Sequence, residues 1–107
     1  MKQVFFLGDS RKQVLKFSSD ARREAGYQLD KVQHGDEPSD WKPMPTVGVG
    51  VREIRLHGAG EHRVIYLATL PDAVYVLHAF VKKTQRTPKS DIDLAKTRLT
   101  QLLKAKK

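Results

Sequence analysis

From Val74 to Pro88 the chain passes from its most apolar stretch into a cationic, hydroxyl-rich exit, and no other passage constrains the fold as tightly. Val74, Val76 and Val81 are β-branched, Tyr75 and Phe80 are aromatic, and His78 alone is polar before Lys82. That content predicts an interior strand of a sheet covered on at least one face. Lys82, Lys83, Arg86 and Lys89 then follow with no acid among them, and Pro88 cannot continue a ladder. A buried strand thus delivers a basic segment to its own end. Such a segment is either a solvated strand terminus or an anion site, and both readings stand at this point.

The rest of the chain supplies the partners of that strand. Residues 2–7 have the content of a short strand, and Gly8-Asp9-Ser10 offers a turn and a helix start near Ser10. Val14, Leu15 and Phe17 give that first helix an apolar edge, and Ser18-Ser19-Asp20 caps a second one. In the second helix Ala21, Ala25, Leu29 and Val32 recur at spacings of three and four, with Gln28 among the wet positions and Gly35 as the C-terminal stop. The two prolines and two glycines of residues 41–50 predict irregular structure over most of that segment, with Trp41 either anchoring it or stacking on a base. From Val51 the period becomes two, so that Ile54 and Leu56 make a dry face while Glu53, Arg55 and His57 make a chemical one. Gly58-Ala59-Gly60-Glu61 connects to a strand over residues 62–69, and Leu70-Pro71-Asp72 turns into the apolar strand. Ser90 and Asp93 form a capping box for a last helix whose stripe is Ile92, Ala95, Leu99, Leu102 and Leu103, with Lys104, Lys106 and Lys107 at its negative end. The expected fold class is α+β, in the order β-α-α-β-β-β-α. Its mainly antiparallel sheet has about four strands, with helices on one face and residues 1–107 as one domain.

Composition limits what such a domain does. The absence of cysteine removes disulfides, thiol chemistry and cysteine-based zinc sites, and suits a cytoplasmic location. The apolar run near Met1 is shorter than the roughly seven residues that an export signal needs, so neither secretion nor a membrane is expected. Lys+Arg number 20 against 12 Asp+Glu, a net charge of +8, which selects polyanions or an acidic protein as partners. His34, His57, His62 and His78 have no zinc-like spacing and no carboxylate cluster in sequence, so no metal or cofactor is assigned. His78 is read as a core residue before it is read as a base. What remains for chemistry is cationic. Arg55 and Arg63 lie on strands joined by a short hairpin, and Lys82 and Lys83 end the next strand. Gathered on one sheet surface, they suit phosphodiester cleavage through a ribose 2′-hydroxyl, which needs a base, cations for the developing phosphorane charge and a proton source. Glu53 is either that base or the partner of an arginine. Arg63 stands in a strand apolar on both faces, a costly place for a charge unless one face opens onto a polar site.

Several scattered motifs resemble one family. Gly26-Tyr27-x-Leu29-x-x-x-Gln33-x-Gly35, Trp41-Lys42-Pro43-Met44, Gly50-Val51-x-Glu53-Ile54-Arg55, Arg63-Val64-x-Tyr66 and the run from Val74 through Lys82-Lys83-Thr84-Gln85-x-Thr87 together are similar to the phage-derived Gp49-like family, of the HigB branch of the RelE/ParE superfamily. The resemblance implies a RelE-like fold and the toxin of a type II toxin–antitoxin pair. It also implies a metal-independent mRNA endoribonuclease working in the cytoplasm on the translating ribosome. A helix-turn-helix antitoxin would neutralise it in a hetero-oligomer. By position the resemblance gives catalytic roles to Arg55, Arg63, Lys83 and Gln85; the chemistry of the residues themselves adds Glu53 as a catalytic candidate and the cations of the strand exit, Lys82, Arg86 and Lys89, with Tyr66, as nucleic-acid contacts. The base-stacking tyrosine that follows the last strand in some relatives has no counterpart, which leaves Tyr66 or Trp41 to replace it. Two other readings fit the same superfamily or charge: a non-enzymatic inhibitor of a protein such as DNA gyrase, and a basic nucleic-acid-binding module.

Overall fold

The computed structural model describes residues 1–58 and 60–106; Ala59 of the expected hairpin connection and Lys107 of the expected basic terminus lie outside the described residues. The elements are β1 (Gln3–Phe6), α1 (Ser10–Leu15), α2 (Ser19–Gln33), β2 (Trp41–Pro43), β3 (Val51–Leu56), β4 (Glu61–Leu67), β5 (Ala73–Lys82) and α3 (Lys89–Ala105). Five strands form one mixed sheet in the order β1-β5-β4-β3-β2. The meander β3, β4, β5 is antiparallel as expected, and β1 closes the far side of β5 in parallel. Among the described residues no helix is long and apolar enough to cross a membrane.

The strand count corrects the sequence reading. Trp41–Pro43 pairs antiparallel with Ile54–Arg52, so part of the segment expected to be irregular is an edge strand. A proline is compatible with that position because an edge strand can turn its missing N–H outward. The helices also divide between the two faces. Phe17, Ala21, Ala25, Leu29 and Val32 from the α1–α2 region pack on Ile54, Leu56, Val64, Val74 and Val76. Ala95, Leu99 and Leu102 of α3 pack on Val51, Ile65, Leu67, Tyr75 and Leu77 on the other side. Strands β4 and β5 are apolar on both faces, and a sheet of that kind needs a cover on each.

Local signals account for the ends of α2, whereas neither α1 nor α3 has a side-chain cap at its start. The Ser18 hydroxyl accepts from the Ala21 amide at the start of α2, and Gly35 follows that helix at φ +88°, a conformation that a side chain would strain. The expected Ser90–Asp93 capping box does not form. Helix α3 begins two residues earlier with Pro88 at its N-cap, and Asp93 instead takes the Lys89 ammonium at 3.0 Å. Leu103 is exposed rather than part of the buried stripe. Gln28 departs the other way: it is buried, donating to Glu24 and Ser39 and accepting from the Ser39 amide, which staples the loop before β2 to α2.

Candidate anion site on the sheet

Strand alternation builds the site. In register, Lys42 faces Glu53, Arg55 faces Arg63, Arg63 faces Phe80, and Glu61 faces Lys82, so these residues share the α3 side of the sheet. Helix α3 covers the half of that face marked by Val51, Leu67 and Ala73, and the charged group occupies the other half. Four strands therefore contribute one cation each: Lys42, Arg55, Arg63 and Lys82. Two carboxylates, Glu53 and Glu61, answer them, so the group keeps an excess of positive charge.

Glu53 is the centre. It is 0 % exposed, and its Oε2 accepts from the Thr87 hydroxyl at 3.1 Å. Its Oε1 faces Arg63 Nε at 3.5 Å and Lys42 Nζ at 3.8 Å. Arg63, 2 % exposed, donates from Nη2 to Glu61 at 3.0 Å and from Nη1 to the His62 carbonyl at 3.0 Å. Among the described residues Glu53 Oε1, Arg55 Nε and Arg63 Nε are buried without a hydrogen-bond partner. The directly opposed Arg55 and Arg63 repel one another, a penalty that an anion binding over the half-buried Arg55 would relieve. Burial, and then the charge of Arg63, pull the Lys82 ammonium below its ordinary pKa.

The other expected site residues divide. Lys83, Gln85 and Arg86 are exposed on the segment leaving β5, and Lys89 is exposed and paired with Asp93. Tyr66 does not join them. It is buried on the α2 side, opposite Arg52, where burial pushes its hydroxyl pKa up. Trp41, paired with Ile54 and so on the α2 side of the sheet, carries the Arg52 guanidinium 3.9 Å from its ring centre, away from the charged group. Lys42 and Thr87 were not legible as site residues. Alternation within Trp41-Lys42-Pro43 would have paired Lys42 with Glu53, whereas nothing local to Thr87 announces a contact with a residue 34 positions away.

Two histidines gain carboxylates that the sequence separates. A bulge at Leu77, between the Ile65–His78 and Tyr66–Val76 pairs, turns His78 toward α3, where its Nε2 meets Asp91 at 2.6 Å and its ring stacks on Phe80. This is the core role expected for it. His57 lies between Asp40, at 2.5 Å from Nε2, and Glu61, at 2.8 Å from Nδ1. Each ring nitrogen serves a different carboxylate, an arrangement suited to an imidazolium and not to a metal. The hydrogen bond to Asp40, and then that to Glu61, raise the His57 pKa above its ordinary 6.5. A raised folded-state value means that the added stability is complete below about pH 6.5 and is lost as pH rises through the folded-state value. Melting temperatures taken from about pH 6 to about pH 9 should therefore fall in the native protein relative to His57→Gln. Parallel curves would show that the clamp contributes nothing.

Fold and site together define an α+β protein whose mixed sheet presents a cationic face built around a buried carboxylate. The sequence model of the phage-derived Gp49-like proteins matches residues 12–100, and the chain belongs to that family. No curated protein sequence matches it closely.

Proposed function

We propose that this protein is the toxin of a type II toxin–antitoxin pair, with a RelE-like fold, and that it cleaves mRNA on the translating ribosome in the cytoplasm. The observation that carries the reading is the four-strand cationic cluster with the unpartnered Arg55 Nε, on a face that α3 leaves uncovered. Membership of a toxin-like family supports it further.

In this reading Arg55 and Lys82 engage the scissile phosphate, and the charge that builds on its oxygens in the phosphorane is met by donors already in place. Arg63 lies beneath them, oriented by Glu53 and Glu61. We assign to Lys82 the proton that goes to the departing 5′-oxygen as the 2′-hydroxyl, giving its own proton to water, closes on the phosphorus; burial and the charge of Arg63 pull its ammonium below the ordinary pKa, the direction that eases the donation. Glu53, enclosed and bonded by Thr87, serves as countercharge and not as base. Lys83, Gln85 and Arg86 guide the flanking strand. The neutralising partner is a helix-turn-helix antitoxin that covers this face, favoured by charge complementarity.

The test is a translation extract programmed with a defined mRNA. The purified protein should cut the message when ribosomes are present and spare it when they are removed. Lys82→Arg, which keeps the charge but holds its proton, should lower the single-turnover rate by about 100-fold or more while leaving RNA affinity nearly unchanged. An uncut message would overturn the reading, and a Lys82→Arg rate equal to the native one would overturn the proton-transfer assignment.

A further inference from the structure

We infer that Thr87 is a positioning residue that latches the basic segment after β5 onto the floor of the site through Glu53. The segment from Lys83 to Thr87 carries Lys83 and Arg86, both exposed, and belongs to neither β5 nor α3. Thr84 donates within the segment, to the Arg86 carbonyl. Among the described residues the bond from the Thr87 hydroxyl to Glu53 Oε2, at 3.1 Å, is the one hydrogen bond that joins residues 83–87 to the sheet. The acceptor is the same carboxylate whose other oxygen faces Arg63 and Lys42. One buried carboxylate thus fixes the floor cations through Oε1 and the segment's cations through Oε2. Fixing both sets to one point holds their separation constant, which suits a polyanion that presents phosphates at a regular repeat. In the function proposed above Arg55 and Lys82, over that floor, take one phosphate, and the latched segment offers Lys83 and Arg86 to a neighbouring one, so the ligand is a nucleic-acid strand held at more than one phosphate and not an isolated anion. This inference rests on the function proposed above.

The test compares Thr87→Val, which keeps the shape and removes the hydroxyl, with Thr87→Ser, which keeps the donor. In the full-length protein without RNA, amide exchange at Asp91 and Ile92, which donate to the Pro88 carbonyl beside the latch, should quicken about tenfold in the valine variant and stay native in the serine variant. In ribosome-programmed cleavage, KM should rise about tenfold for valine, with kcat within about twofold of native and serine restoring KM. Unchanged exchange in Thr87→Val would overturn the latch. Faster exchange with an unchanged KM, or a loss confined to kcat, would overturn its positioning role. A native protein that leaves the message whole would sink the proposed function instead, and the exchange result would still decide whether the latch exists.

Discussion

Arg63→Ala should cost the protein about 3–5 kcal/mol of stability, the usual penalty for stripping one partner from a buried ion pair. Arg63 and Glu53 are 2 % and 0 % exposed, so removing the guanidinium leaves a carboxylate enclosed with only Thr87 and the more distant Lys42 to answer it. For a chain of this size that corresponds to a melting point lower by roughly 12 °C or more. Glu53→Ala should do comparable damage from the other side, by leaving Arg63 with Glu61 and the His62 carbonyl alone. Because the two residues share one interaction, the double variant should lose less than the sum of the single losses. Thermal and denaturant melts of the three variants decide the matter. Single variants that melt with the native protein would show that the pair carries no structural burden, returning Arg63 to the phosphate-gripping role first read from its sequence position.

Arg55→Ala should act in the opposite sense, removing activity and sparing the fold. Arg55 is half-buried, stands directly across from Arg63 and has a buried Nε with no partner. Deleting it relieves a like-charge opposition and, among the described residues, breaks no hydrogen bond or ion pair of its side chain, so stability should change by about 0.5 kcal/mol or less. In this account its half-exposed guanidinium meets the charge developing on the phosphate, so its loss should slow cleavage about 100- to 1,000-fold. Lysine at this position should restore little, since a point charge cannot reproduce a two-pronged grip. Single-turnover cleavage rates, measured beside melts of the same preparations, separate the two arginines. A rate within a few-fold of native for Arg55→Ala would remove it from the reaction.

The contrast between these arginines was only half legible in the sequence. Two-residue alternation in Val51–Leu56 set Ile54 and Leu56 against Glu53 and Arg55, and the structure keeps that division. The apolar content of β5 and the cationic exit were equally direct, because period and composition are local properties. What the sequence withheld depends on long-range placement. Edge strand β2 was hidden by Pro43 and the neighbouring glycines, and with it the register that puts Lys42 against Glu53. The parallel pairing of β1 with β5 joins residues some 70 positions apart and has no turn signal to announce it. Of the carboxylates around His57, Glu61 lies four residues on, whereas Asp40 comes from the loop before β2, 17 positions away, and a scan for nearby acids misses it. Tyr66, one residue out of phase with Ile65, falls on the α2 side for the same alternation that assembles the site on the other.

The most direct test of the central claim is a map of transcript 5′ ends after the protein is induced in growing cells, set beside cells expressing Arg55→Ala. An endoribonuclease working on the translating ribosome should create new ends within coding regions, in register with codons, and the variant should not create them. Growth arrest with intact messages, accompanied by a DNA-damage response and undiminished in Arg55→Ala, would contradict the account and point to a protein target instead.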